Sequence, residues 1–190
     1  MILSSVWVFA QTEDELIQEI TDFQQELNED YLDKETSPLS RKDRKHFQGH
    51  RFYEINLNYR VIAQVELLEK QDTIVMPTSA GTEKVYVKYA RLHFEIDGTE
   101  CELVAYQSTR ESLKNYLFIP FRDKTSGNDS YGGGRYIDLE MPIGDEVVLN
   151  FNLAYNPYCA YADGWYCPIP PEENTLQVAI KAGLMVPLEH

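Results

Sequence analysis

Residues 84–107 read "KVYVKYARLHFEIDGTECELVAYQ". Apolar and polar side chains alternate on both sides of Asp97-Gly98. Alternation with a period of two marks a half-buried strand, and Asp-Gly is a tight-turn dipeptide. The stretch therefore predicts an antiparallel hairpin. Leu92, Phe94 and Ile96 face one way, and Arg91, His93 and Glu95 the other. Cys101 shares a face with Leu103 and Ala105 and reads as a buried apolar thiol.

Further strand-length segments lie on both sides of the hairpin. They are "RFYEINLN" (51–58), "YRVIAQVELLE" (59–69), "NYLFIPFR" (115–122), "GRYIDLE" (134–140), "EVVLNFNLAY" (146–155) and "NTLQVAIKA" (174–182). Pro120 marks its segment as an edge strand or a bulge. The count comes to about eight or nine strands, and the short connections imply antiparallel neighbours. The fold predicted for residues 51–187 is a β domain, either an antiparallel β-sandwich or a partly closed β-barrel. Residues 12–50 precede it as a helical segment. There Leu16, Ile20, Phe23, Leu27 and Tyr31 recur every three or four residues and form one face of a long helix. Thr12 and Glu15 form a capping-box pattern at its start, and Ser40 with Asp43 opens a second, short helix. Arg41, Lys42, Arg44 and Lys45 on that short helix read as a solvated face rather than an anion patch.

The chain has 190 residues, 43% of them hydrophobic, enough for a sizeable core. Its net charge of −14 opposes the binding of nucleic acid. No apolar run reaches the length of a membrane helix, so no integral membrane segment is expected. Residues 1–11, "MILSSVWVFAQ", read either as the remnant of an export signal or as a first strand. The former places the protein in the periplasm or outside the cell, the latter in the cytoplasm. Leu188-Glu189-His190 resembles an expression-tag remnant.

The unusual chemistry lies between Phe118 and Asn174. Three glycines, Gly132, Gly133 and Gly134, sit between Tyr131 and Arg135-Tyr136. No Gly-Lys-Ser/Thr follows and no helix-period segment opens, so neither common nucleotide loop is present. An anion nest closed by Arg135 is one reading, and a glycine-bent hairpin under aromatic rings is the other. Asp123, Thr125 and Ser126 read as a polar turn. Further along, "NFNLAYNPYCAY" and "CPIPPEEN" bring Tyr155, Asn156, Tyr161 and Glu173. A ligand site at which these converge with Tyr131, Arg135 and Tyr136 is weighed against side chains that satisfy loop backbone. Cys159 and Cys167 read as a disulfide or as buried thiols, since zinc sites need closer pairs.

The stretches "FIPFRDKTSG", "SYGGGRYIDLE", "NFNLAYNPYCAY" and "CPIPPEENTLQVAIKAG" together resemble a prokaryotic family known only as domain of unknown function 1684. The likeness runs from about Ser37 to Gly183, and it implies a grouping without an activity. Three functional readings remain open. The first is a β domain that binds a small polar or anionic ligand at the YGGGRY and AYNPYCAY loops. The second is a hydrolase- or lyase-like enzyme with Asp138 or Glu173 as base beside Arg135. The third is a structural or interaction domain with a rigid loop plug, including a homodimer. No residue pattern specifies a cofactor or a metal.

Overall fold

In the computed structural model, which describes residues 11–187, the chain begins with the helix that the apolar spacing predicts. The readings of residues 1–11, save for Gln11, and of residues 188–190 lie outside the described residues. Helix α1 spans Glu13–Leu32 and starts with a reciprocal cap. The Glu15 amide donates to Thr12 Oγ1 at 3.3 Å, and the Thr12 amide donates to Glu15 Oε2 at 2.8 Å. Ile20 and Tyr31 are buried, while Leu16, Phe23 and Leu27 on the same face are half-buried. A second helix, α2, spans Arg41–His46 with Ser40 as its N-cap. Among the described residues no helix is long and apolar enough to cross a membrane.

The rest of the chain is mainly β. Among the described residues seven strands form one antiparallel, curled half-barrel sheet: β1 Arg60–Leu67, β2 Thr73–Pro77, β3 Glu83–Ile96, β4 Thr99–Ser108, β5 Tyr116–Phe121, β6 Arg135–Glu140 and β7 Glu146–Asn150. The order is β6-β5-β4-β3-β1-β7. The hairpin β3–β4 is its centre. Asp97 takes φ 49° and Gly98 φ 75°, the pair of positive values that a two-residue turn in a right-twisted hairpin requires. β4 lies along one edge of β3, while β2 and β1 share the other edge end to end.

A bulge between Lys88 and Ala90 decides which side chains face inward. It leaves Tyr86 and Lys88 on the outer face and turns Ala90, Leu92, Phe94 and Ile96 inward. The concave face holds the main core, with Phe94, Phe121 and Phe151 among its largest side chains. A smaller outer cluster contains Met76, Tyr86, Val104 and Tyr106. Cys101 is half-buried at the rim of the main core rather than inside it.

The strands make one sheet, so the partly closed barrel is adopted and the sandwich is not. The chain leaving β7 turns through a 3-10 segment, Phe151–Leu153, and at Tyr155 reaches the free edge of β6. The Tyr136 amide donates to Tyr155 O at 2.9 Å and the Tyr155 amide to Tyr136 O at 3.0 Å. Two expected strands are absent. Residues 51–58 make a single bridge, Phe52 to Leu184, and residues 174–182 run irregularly through the barrel's open side. Leu176, Ile180 and Ala182 do point into the core, which accounts for the alternation. Their backbone finds side-chain and isolated partners instead of a ladder.

Asn174 shows how. β4 and β5 pair only at Tyr106–Phe118 and Gln107–Leu117, and then splay. The buried Asn174 amide fills the gap. It accepts from the Val104 amide at 2.8 Å and donates to Val104 O at 2.9 Å and Pro120 O at 2.8 Å. Pro120 therefore sits not on an edge strand but where the ladder on its β4 side has ended. Asn174→Ala leaves these groups buried without partners and should destabilise the fold by about 2–3 kcal/mol in urea unfolding. Asn174→Asp should not restore it, because a carboxylate has no N–H for the two carbonyls.

Candidate functional site

The YGGGR turn is packed solid. The Tyr131 ring lies over Gly133, where an added Cβ would come within 2.3 Å of it. Gly134 takes φ 92°, and a Cβ there would lie 2.6 Å from Phe121 O and 2.7 Å from Pro170 Cγ. Gly132 packs against Gly127. These glycines admit a close approach of neighbouring chain.

Arg135 is fully buried. It lies on the inner face of β6, and its Nη1 donates to Ala182 O and to Leu184 O at 3.2 Å. Nη2 donates to Ile180 O at 2.9 Å and faces Asp123 Oδ1 at 3.4 Å. The guanidinium also stacks near Phe121, 5.3 Å from the ring centre. Burial lowers its pKa, and Asp123 opposes that shift. Asp123 in turn accepts from Thr125, Ser126 and the Ile180 amide. The acid beside Arg135 is thus Asp123, which corrects the expectation of Asp138 or Glu173 there. Asp138 is on the opposite face of β6 and accepts from the Tyr155 hydroxyl at 2.6 Å. Protein packed around Asp138 raises its pKa although it keeps contact with solvent. Glu173 pairs with Lys88 at 2.8 Å and accepts from the Tyr106 hydroxyl.

An accessible cavity lies elsewhere, on the outer face of the sheet beneath α1. It is a cleft of about 820 Å³. Phe23, Leu27 and Tyr31 form its helical wall, and Tyr136 and Tyr155 its base. Tyr158, Trp165 and Tyr166 line the loop side, with Tyr158 edge-on to Trp165 at 4.7 Å. Lys84 and Arg110 stand at its rim with Glu83. Neither cation has a carboxylate within salt-bridge distance among the described residues. Burial lowers the Lys84 pKa, and Arg110 lowers it further.

Of the expected site residues, Tyr136 and Tyr155 line this cleft. Asn156 and Tyr161 belong to a second polar knot behind Tyr31. Asn156 Nδ2 donates to the Tyr161 oxygen at 3.1 Å, and Tyr161 meets His50 Nδ1 at 3.0 Å. The Tyr31 ring lies edge-on to both His50 and Tyr161. Tyr131 bonds to Cys159 O at 3.4 Å. Cys159 and Cys167 are free thiols in contact, with the Cys159 amide donating to Cys167 Sγ at 3.3 Å. Lys84, Arg110 and the α1 side chains were not singled out by sequence. Only the apolar spacing of α1 carried a signal, and it reads equally as core.

The family described as "Protein of unknown function (DUF1684)" matches residues 45–185. The chain belongs to the DUF1684 family. It is also similar to the uncharacterized protein from gene locus rrnAC0354 of Haloarcula marismortui, solved by solution NMR. The two are 38% identical with a TM-score of 0.72, over 93% of this chain and 97% of that one. No protein in the curated set matches. The DUF1684 match spans the sheet, the YGGGR turn and the loop side of the cleft, while the whole of α1 lies before it.

Two outcomes follow for this DUF1684 chain. Arg135→Leu strands Asp123 and three carbonyls in the core and should cost about 3–5 kcal/mol, read as a fall in urea midpoint. His50 gives the pH dependence. Burial lowers its pKa to about 4, against a contact with the Leu27 carbonyl that raises it. Unfolded histidine titrates near 6.5, so between those values the unfolded chain binds more protons. Stability should be full above that window, fall by up to about 3 kcal/mol as pH drops through it, and level off below. Unfolding free energies of the wild type and His50→Gln across this range check it, since the variant should lack that slope.

Proposed function

We propose that the cleft under α1 binds a small organic anion with a flat apolar body. The body lies among Tyr136, Tyr155, Tyr158 and Trp165, and the charged group meets Lys84 and Arg110. One observation carries this reading: two cations without an acid partner among the described residues share an aromatic-walled cleft in a chain of net charge −14. The volume suits a small molecule, and the mix of apolar wall and few charges is what such sites use. Burial and then the nearby Arg110 disfavour the charge of half-buried Lys84, and an anion between the two cations relieves that cost. Relative to the sequence reading, the ligand class is kept and the charge anchor moves from Arg135 to this pair.

Calorimetric titration with a panel of aromatic carboxylates and their matched primary amides tests the proposal. At least one carboxylate should bind, and its amide should bind about tenfold more weakly or worse. Arg110→Gln should lose a similar factor while its melting temperature stays that of the wild type. Equal binding of acid and amide, or an Arg110→Gln protein that binds as before, removes the anion subsite.

A further inference from the structure

Next to the cleft, two sulfur atoms meet under unlike conditions. Cys167 is buried, and backbone bonds hold it in place. The Ser79 amide donates to Cys167 O at 2.9 Å, the Cys167 amide to Ser79 Oγ at 3.3 Å, and the Ile169 amide to Pro77 O at 2.8 Å. Cys159 lies on a short 3-10 turn, Tyr158–Ala160, and is half-exposed. Seven residues separate the two, and the amide of one reaches the sulfur of the other.

We propose that Cys159 and Cys167 form a reversible dithiol–disulfide site that exchanges with low-molecular-weight disulfides, Cys159 attacking and Cys167 resolving. Exposure and rigidity assign the roles, because the accessible sulfur meets the oxidant and the buried one is already in contact behind it. The surroundings agree. The neighbouring Cys167 thiol lowers the pKa of Cys159 to about 6 against burial, and the nearby Ser79 and Tyr131 hydroxyls act in the same direction as Cys167. The same contact pushes Cys167 upward, so it keeps its proton until Cys159 has reacted. The Lys84 ammonium acts on Cys167 in the opposite sense, as a nearby cation.

The exchange balances. The Cys159 thiolate attacks one sulfur of the small disulfide, whose S–S bond breaks and releases one thiolate. That thiolate takes up the proton given up by Cys167. The Cys167 thiolate then attacks Cys159 Sγ, forms the internal bond and expels the second small thiolate, which is protonated by solvent. Two protein thiols are oxidised and one small disulfide is reduced to two thiols. Cys101 is an internal reference. It is half-buried on β4, donates to Thr99 O at 3.5 Å, and its pKa is raised by burial.

The test uses the whole chain with oxidised glutathione as the probe, acid quenching, trypsin digestion and mass spectrometry. Both cysteines fall in the tryptic peptide 136–181, which should lose the mass of two hydrogens and regain it with dithiothreitol, while Cys101 stays reduced. Cys167→Ser should accumulate a glutathione adduct on Cys159, and Cys159→Ser should remain unmodified there. Iodoacetamide on the unaltered protein should label Cys159 about tenfold faster than Cys101 or Cys167, which checks the roles without any variant. Labelling of Cys167 ahead of Cys159 overturns the proposal. So does a wild-type adduct that never closes to the internal bond, or oxidation no faster than at Cys101.

Discussion

A guanidinium shut away from water holds the barrel's open side together. Arg135 leaves the start of β6 and bonds the carbonyls of Ile180, Ala182 and Leu184. These carbonyls belong to irregular chain that bends at Ala182-Gly183, with Gly183 at φ 73°, and not to a strand ladder in which a neighbouring strand would receive them. Here a side chain takes that neighbour's place. Burying the charge is costly, and Asp123 offsets the cost only because its own oxygens are bonded to Thr125, Ser126 and the Ile180 amide. The guanidinium suits the task, since a planar fork reaches several carbonyls that a single ammonium point cannot.

The same substitution of side chain for strand recurs around the core. Asn174 bridges the splayed β4 and β5. Asn152 takes an amide bond from Asn56 and returns one to its carbonyl. The sheet is filled in this way by its own irregular chain. Phe94, Phe121, Phe151 and Ile180 occupy the concave face. The accessible cleft therefore forms on the outer face, where Tyr136 and Tyr155 are left by β6 and its one-residue closure, and where α1 supplies the opposite wall. The YGGGR turn serves this arrangement indirectly. Its bare backbone lets Pro170 and Phe121 close over it, so that Arg135 can reach inward and Tyr136 outward.

The parts of the fold that were legible obey local periodicity. The hairpin alternates about an Asp-Gly turn, and α1 repeats every three or four residues after a capping box. Both held nearly residue for residue. Residues 174–182 misled because alternation reports which side chains are buried, not what the backbone bonds to. An irregular segment threaded over a core alternates too, and its hydrogen-bond partners here are distant side chains that no local pattern announces. The bulge at Tyr89 is equally silent, since one extra residue in a strand rich in both apolar and charged side chains leaves the pattern readable in either register.

The cleft was illegible for a different reason. Its components come from α1, the foot of β3, the turn after β4 and the loop before Pro168, and each is ordinary in its own surroundings. Lys84 looks like any charge at a strand's start, and Arg110 like any residue of a polar turn. What distinguishes them is that neither has found an acid among the described residues of a strongly acidic chain, and that is a property of three-dimensional placement. Arg135 is the converse. It stood out by sequence because a cation beside three glycines suggests an open nest, whereas the glycines exist so that chain can close over it. A conspicuous local motif thus marked the fold's fastening, while the unpaired charges that a ligand could meet lay in stretches with no motif at all.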